Sequence, residues 1–537
     1  MPTIKLDGRD IPFEKGDTII RAAWRQGLEI PHYCWHPGLS VAANCRMCLV
    51  EIERPGGRQM MLDVLHWDEK RGDYVPSKKP KLEPACQIEC MEGMNVKSES
   101  SAFVADARKH VQEYLLLNHP VDCPICDQAG ECKLQDYWLK EQRAPKRMLD
   151  EVIHKPKGVS FGPTIVYDAE RCIVCTRCVR FMEEIAKDPV LDKRERGNLG
   201  EIVLSPGRQL EGKYTMMVDQ VCPVGALTTK DFRFKARVWF LRKVETVCPG
   251  CATGCNAWLD YDPRTGEVPR LRPRDNLAVN QFWMCDDGIM THKRVQSARV
   301  ATATVGRGKD RKQAAPSAAF KAAADLLRGA KGVGIVLSAQ RSTEDNFTLA
   351  YFARTFLGVN DFHLAGLASW DGDAILRDTD RNPNTRGATA VAGGAVRPIS
   401  ELTEPVVSGQ VPVVLALGGQ VDLDDVTAGA LGRAKLIVLS DCETPLTKMA
   451  DVVLPIASWA EQDGSFVNRQ GVEQPFVAGP KPVGDALPGW DSLVRLAKQA
   501  GHPLDWKRIK DVRKAMGGPV GRSSAQPATP DAAPAAE

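Results

Sequence analysis

Apolar and polar residues alternate in two short runs near the start of the chain, Thr3 to Leu6 and Ile11 to Phe13, on either side of Gly8, and again from Cys48 to Glu53. Alternation of period two predicts strands with one buried face. Between them, Thr18 to Gln26 has helical spacing, with Asp17 as a candidate cap. A longer helical stripe runs from Ser98 to His119, with Phe103, Val104, Ala107, Val111, Tyr114 and Leu115 on one face and Pro120 ending it. Past residue 300 the pattern changes. The helical stretches Ala318 to Gly329 and Glu344 to Gly358 alternate with continuous apolar runs at Val333 to Leu337, Val411 to Leu417 and Leu436 to Leu439. Such runs are strands buried on both faces, so a parallel α/β sheet is predicted. The polar, basic stretch from Gly306 to Ser317 reads as a linker, and Gly517 to Glu537, rich in Pro and Ala, as a disordered tail.

Composition narrows the class. At 537 residues and 43% hydrophobic content, the chain is long enough for three or more domains with ordinary cores. A net charge of +3, from 71 basic and 68 acidic residues, leaves no polyanion footprint, and nucleic-acid binding is not expected. No apolar run approaches the roughly 20 residues a membrane span needs, and Met1 to Asp10 lacks a secretory pattern. A soluble, cytosolic chain is expected. Its 17 cysteines, an odd number without an export signal, are then better read as metal ligands than as disulfides.

The cysteines fall into four groups. His119-x3-Cys123-x2-Cys126-x5-Cys132 packs one imidazole and three thiols among two prolines and a glycine. Thiolates two residues apart can reach neighbouring irons of one cubane, while a Cys3His set also suits structural zinc. Nearer the start stand Cys34, Cys45 and Cys48, followed by Cys86. The plant-type 2Fe-2S pattern is C-x4-C-x2-C with a distant fourth cysteine; here the first gap is longer, and Cys90 competes with Cys86 for the fourth place. Cys172-x2-Cys175-x2-Cys178 is followed much later by Cys222-Pro223. In two-cluster ferredoxins the Cys-Pro cysteine follows a second triplet, but Gly212, Thr215 and Val218 occupy those places, so Cys222 completes the first cluster. The fourth group is Cys248-x2-Cys251-x3-Cys255 with remote Cys285, read as another 4Fe-4S site with structural zinc as the alternative.

This order of motifs closely resembles the large iron-sulfur subunit (G type, 75 kDa type) of bacterial NADH:quinone oxidoreductase, respiratory complex I. The likeness covers residues 1 to about 290 and, more loosely, about 330 to 480. In that family a Gly-Met pair follows the fourth 2Fe-2S cysteine at a fixed offset, and Gly93-Met94 assigns the role to Cys86. The resemblance implies an α+β multidomain chain. A β-grasp 2Fe-2S ferredoxin domain would span 1–98, a helix and His/Cys3 segment 99–160, and a 4Fe-4S ferredoxin-like domain 161–240. A molybdopterin-oxidoreductase-type 4Fe-4S domain would span 241–300 and a degenerate molybdopterin-oxidoreductase-like α/β domain 301–516, before the tail at 517–537.

One 2Fe-2S and three 4Fe-4S clusters are implied. The fourth group occurs in only part of the family and lies off the main electron path. The segments Ala450-Asp451-Val452-Val453-Leu454-Pro455 and Asn468-Arg469-Gln470-Gly471 resemble molybdopterin oxidoreductases, yet Cys442 is the only cysteine past Cys285. It reads as a free thiol, so no molybdopterin is expected and the α/β part is a scaffold that has lost a site. The implied function is electron relay, with no catalytic acid, base or nucleophile in this chain. The partners would be the flavin/NADH-binding subunit and the quinone-module iron-sulfur subunits, with the whole peripheral on the cytoplasmic side of the inner membrane. The electron subunit of an NAD-linked hydrogenase or formate dehydrogenase is the alternative, and a zinc-stabilised scaffold is a third reading from another class.

Overall fold

The computed structural model describes residues 1–523. Of the tail expected at Gly517 to Glu537, residues 524–537 lie outside the described residues. Two compact units form, one spanning Met1–Val238 and one beginning at Trp239. No helix among the described residues is long and apolar enough to cross a membrane.

In the first unit the strand Thr3–Leu6 turns at Asp7 and Gly8, both with positive φ, and pairs antiparallel with Arg9–Pro12. The sheet continues through Asn95–Lys97, parallel to Thr3–Leu6, to Leu49–Arg54, which also pairs with Leu82–Pro84 and Arg58–Gln59. The helix Ile19–Arg25 buries Ile19, Ile20, Ala22 and Ala23 in the core that also holds Cys48 and Cys86. Asp17 does not cap this helix. Thr18 stands at the cap without a side-chain bond, because the Asp17 carboxylate is taken by the Glu14 amide at 2.9 Å and Arg25 at 3.0 Å.

Two elements differ from expectation. The long helix is Ala102–Leu116, capped by Ser101, so it stops before His119, which stands in a loop. Its buried residues are Val104, Arg108 and Gln112, whereas Tyr114 is 79% exposed. The buried stripe is polar because it serves the backbone of its neighbours: Arg108 donates to Leu49 O and to Ser98 Oγ, and Gln112 donates to Leu134 O and accepts from the Tyr33 hydroxyl. The second is an antiparallel hairpin, Met61–Asp68 with Asp73–Pro80, whose face carries exposed Leu65, Trp67 and Tyr74. Its ladder is not foreshadowed by alternation of apolar and polar residues.

The remainder of the first unit hangs on the strand Ile165–Tyr167, paired with Leu227–Thr229 and Val159–Ser160, and on the helices Arg177–Glu184 and Met217–Val221.

The second unit opens with a three-stranded antiparallel sheet, Arg242–Val247, Asn256–Tyr261 and Arg270–Pro273. An eight-stranded sheet follows. Its six strands Val452–Pro455, Lys435–Ser440, Val413–Leu417, Val333–Ser338, Phe362–Ala365 and Arg397–Pro398 lie side by side and parallel. Alternate residues feed opposite cores: Leu415 and Leu417 join the one containing Leu493 and Leu496, Val414 and Ala416 the one containing Leu402 and Leu431. The expected linker at Gly306 to Ser317 is part of this architecture. Lys312–Gln313 pairs with Thr304–Val305 at the sheet edge, and Pro316 starts the helix Pro316–Arg328. A strand of two residues has no periodicity to read.

Candidate metal centres

The loop from Gly27 to Cys48, between the first helix and the strand Leu49–Arg54, contains no helix or strand. Ala43 and Arg46 within it take positive φ, the kind of strain held at ligand sites. It gathers the first four cysteines in two pairs, Cys34 hydrogen-bonded to Cys45 and Cys48 to Cys86, with Cys45 near enough to Cys48 to act on its charge. The bond to the Cys34 thiol, helped by backbone amides of Cys34, Met47 and Tyr33, pulls the Cys45 thiol below the usual thiol range. Cys34 and Cys48 are pushed far up, each first by the bond to its partner and then by burial. Cys90 faces Asp17 instead; burial and that carboxylate raise its thiol to about 12.

His119 is half-buried, and its Nδ1 is buried without a hydrogen-bond partner. Burial, reinforced by Arg171 and Lys157 against the pull of Asp122, lowers its pKa to about 4, so the imidazole is neutral at neutral pH with a lone pair to offer. Cys123, Cys126 and Cys132 stand close enough to repel one another's charge. Burial pushes the Cys132 thiol up to about 11 against the opposing amides of Gln135 and Leu134. Gly225 is required here, since a Cβ on it would meet Cys126 Sγ at 2.2 Å and Gln128 at 3.1 Å.

Cys172, Cys175, Cys178 and Cys222 interact mutually; burial, then Cys175, raises Cys172 to about 11 and drives Cys222 higher. Val174 and Thr176 adopt left-handed backbone so that the Val174 amide lies 3.4 Å from Cys172 Sγ and Cys178 sits inside the helix Arg177–Glu184. In the second unit, Cys248 and Cys255 close the turn between the strands Arg242–Val247 and Asn256–Tyr261, with Cys248 N on Cys255 O at 2.8 Å. Cys251 and Cys285 complete the group. The amides of Gly250 and Gly288 point at Cys248 and Cys285 sulfur at 3.4 and 3.3 Å. A Cβ at Gly288 would stand 3.1 Å from Cys248 Sγ and 3.4 Å from Cys285 Sγ.

Among the described residues, no three His, Cys, Asp or Glu side chains close round a single ion. A cubane asks for a different arrangement, one ligand to each iron of a cage. Thiols raised by burial and then by one another's charge, glycines where a side chain would fill the cradle, amides aimed at sulfur and an orphaned imidazole nitrogen all fit such an anionic cluster. The sixteen ligand candidates read from spacing lie in these four loop regions. Spacing did not call attention to Gly225, Gly288, Arg177 and Arg180, although the arginines lie inside the Cys175 to Cys178 motif and its flank.

At the carboxyl ends of the parallel strands the chain's own side chains meet. Gln340 donates to Arg381 O and Asn382 Oδ1, and Arg341 pairs with Asp345 at 3.2 Å and Asp441 at 3.3 Å. A Cβ at Gly419 would strike Gln340 at 2.9 Å. Cys442 is half-buried beside Asp441, and burial followed by that carboxylate drives its thiol up.

Four family descriptions match in order. The 2Fe-2S iron-sulfur cluster binding domain covers residues 1–101, and the NADH-ubiquinone oxidoreductase-G iron-sulfur binding region residues 108–142. The ferredoxin-like domain of NADH-quinone oxidoreductase subunit 3 covers 162–228, and molybdopterin oxidoreductase 346–499. The chain belongs with the G subunits of NADH-quinone oxidoreductase. The G subunit from Streptomyces coelicolor is 34% identical over 363 residues, 67% of this chain and 40% of the relative. The one from Mycobacterium bovis is 35% identical over 368 residues, 67% of this chain and 42% of the relative. The chain thus spans about two fifths of the length of these relatives. A crystal structure of an NAD+-reducing [NiFe]-hydrogenase in the H2-reduced state is 26% identical, covering 44% of this chain and 91% of that one, with a TM-score of 0.36. At that score it bears on neither fold nor function.

Proposed function

We propose that this chain is an iron-sulfur electron carrier of the peripheral arm of NADH:quinone oxidoreductase, taking electrons from an NADH/flavin subunit toward the quinone site. The observation that carries this is the contact between ligand loops: Gly225, three residues after Cys222, packs so closely on Cys126 that a Cβ there would meet its sulfur at 2.2 Å, so the Cys222 loop adjoins the loop of the His119 group. The Lys133 amide on Pro223 O, at 3.2 Å, fastens the same two loops. A relay needs such adjacency; a set of zinc-stabilised folding units does not.

Cys34 with Cys45 and Cys48 with Cys86 would each hold one iron of a 2Fe-2S centre. His119, Cys123, Cys126 and Cys132 would hold one 4Fe-4S centre, Cys172, Cys175, Cys178 and Cys222 a second, and Cys248, Cys251, Cys255 and Cys285 a third. Each centre, when bound, gains and loses one electron without bond making in the protein. The polypeptide supplies thiolates, amides that stabilise charge on sulfur, and burial that keeps water away. In this reading the N-terminal sheet and helix are a β-grasp, and the second unit's large sheet is a molybdopterin-oxidoreductase fold kept as scaffold. The partners are the flavin/NADH-binding and quinone-module iron-sulfur subunits, and the complex sits peripherally on the cytoplasmic side of the inner membrane.

The test is anaerobic purification with cluster assembly intact, followed by counts of iron, acid-labile sulfide, zinc and molybdenum and by low-temperature EPR under graded reduction. One 2Fe-2S and three 4Fe-4S signals without molybdenum are expected. Stoichiometric zinc with no sulfide would sink the reading.

A further inference from the structure

Two buried arginines stand between the Cys34 to Cys86 group and the Cys172 to Cys222 group. Arg177 and Arg180 lie on one face of the helix Arg177–Glu184, three residues apart, and are only 6% and 9% exposed. Arg180 Nη2 donates to Cys34 O at 2.6 Å and to Cys175 O at 3.2 Å, so one guanidinium joins a ligand of the 2Fe-2S group to a ligand of the neighbouring 4Fe-4S group. Its Nη1 donates to Ser40 O. Arg177 repeats the arrangement, donating from Nη2 to Trp35 O, next to Cys34, and from Nη1 to Val221 O, next to Cys222, at 3.4 Å. Glu184, one turn further, accepts from the Ser40 amide at 2.8 Å, and Asn44 reaches Val174 O at 3.2 Å.

Every hydrogen-bond acceptor of the two guanidiniums is a neutral carbonyl. Neither forms an ion pair with a carboxylate among the described residues, and the Nε of each is buried without a partner. A buried cation without a counter-charge is strongly disfavoured. The anions at hand are the thiolate sets on either side: the Arg177 charge acts on Cys175, Cys34 and Cys45, and Cys175 feels both arginines.

We propose that Arg177 and Arg180 clamp the Cys34 to Cys45 loop onto the Cys175 and Cys222 loops and, by their charge, set the reduction potentials of both centres together. They are positioning residues, since they meet backbone carbonyls of the ligand loops and not the reacting atoms. A fixed cation favours the more negative, reduced form of an adjacent cluster, so it raises that cluster's potential; placed between two clusters it raises both. The inference rests on the cluster assignment above.

The test is an EPR-monitored redox titration of the full chain, assembled anaerobically, as wild type, Arg180→Gln, Arg177→Gln and Arg180→Lys. Each neutral variant is expected to move the 2Fe-2S signal and one 4Fe-4S signal to lower potential while the other two 4Fe-4S signals stay. Arg180→Lys, which keeps the charge, stays nearer the wild type. The proposal is overturned if loaded neutral variants leave both potentials in place, if all four signals move alike, or if both neutral variants lose both centres, which would make the arginines scaffold alone. A wild-type chain without a 2Fe-2S signal would instead overturn the cluster assignment itself.

Discussion

His119 departs from the all-thiolate pattern of the other three groups. Its buried, unpartnered Nδ1 and its pKa of about 4 describe an imidazole kept neutral and kept free. If His119 is a ligand, a neutral imidazole in place of a thiolate would remove one negative charge and place the potential of that centre above that of an all-cysteine equivalent. His119→Cys is therefore expected to shift one 4Fe-4S EPR signal to lower potential and spare the rest, and His119→Ala to abolish or alter that signal alone. If every signal survived His119→Ala unchanged, the imidazole would not be a ligand. The sequence singled out His119 as a candidate because Cys123 follows so closely. The glycines that let sulfur approach, Gly225 and Gly288, were not singled out, because the side chain each would crowd belongs to a distant part of the chain or to a turn whose geometry is set by folding.

At the scale of the element, the helix Ala102–Leu116 shows how a hydrophobic stripe can mislead. Its amphipathic reading named Tyr114, which is exposed, and passed over Arg108 and Gln112, which are buried. Arg108 is held by Leu49 O at 3.3 Å and Ser98 Oγ at 2.7 Å, so its burial depends on acceptors from the sheet and not on its own polarity. Arg108→Met keeps the stem and removes both donors, leaving buried acceptors unpaired. It is expected to lower stability by about 2 kcal/mol in chemical denaturation. Tyr114→Ala, on the exposed face, is expected to change it by less than about 0.5 kcal/mol. A reversed order in that experiment would overturn the assignment of the buried face. The hairpin Met61–Asp68 with Asp73–Pro80 escaped notice for a related reason: its strands are exposed on most of both faces, so there is no alternation to detect.

At the scale of the whole molecule, the two units are held by different means. The first unit is organised around cysteine loops, the second around the parallel sheet with a helix layer on each face. The second unit also buries an ion triad, in which Asp260 meets Arg270 at 2.6 Å and Arg272 at 2.8 Å. Burial pushes the Asp260 carboxyl up, but Arg272 and Arg270 outweigh it and hold it below the usual carboxylate range. The contribution of the triad is therefore complete above the unfolded value of about 3.9 and is lost as pH falls through the lower folded value. Asp260→Asn is expected to cost about 3 kcal/mol near neutral pH, because the buried carboxylate that meets both Arg270 and Arg272 loses its charge. In denaturation curves taken below pH about 4, the gap between variant and wild type should close; a gap independent of pH would mean the triad contributes no charge term.

The sequence by itself determined which residues could hold metal and in what order, since ligand spacing is short-range information carried within a few residues of each cysteine. It also determined the parallel sheet, because continuous apolar runs are buried on both faces wherever they are placed. The tertiary structure alone decided which groups adjoin, that Gly225 must be a glycine, and that Arg177 and Arg180 stand between Cys34 and the Cys175 and Cys222 loops. Those relations join residues far apart along the chain, and only the packed structure brings them within hydrogen-bond reach.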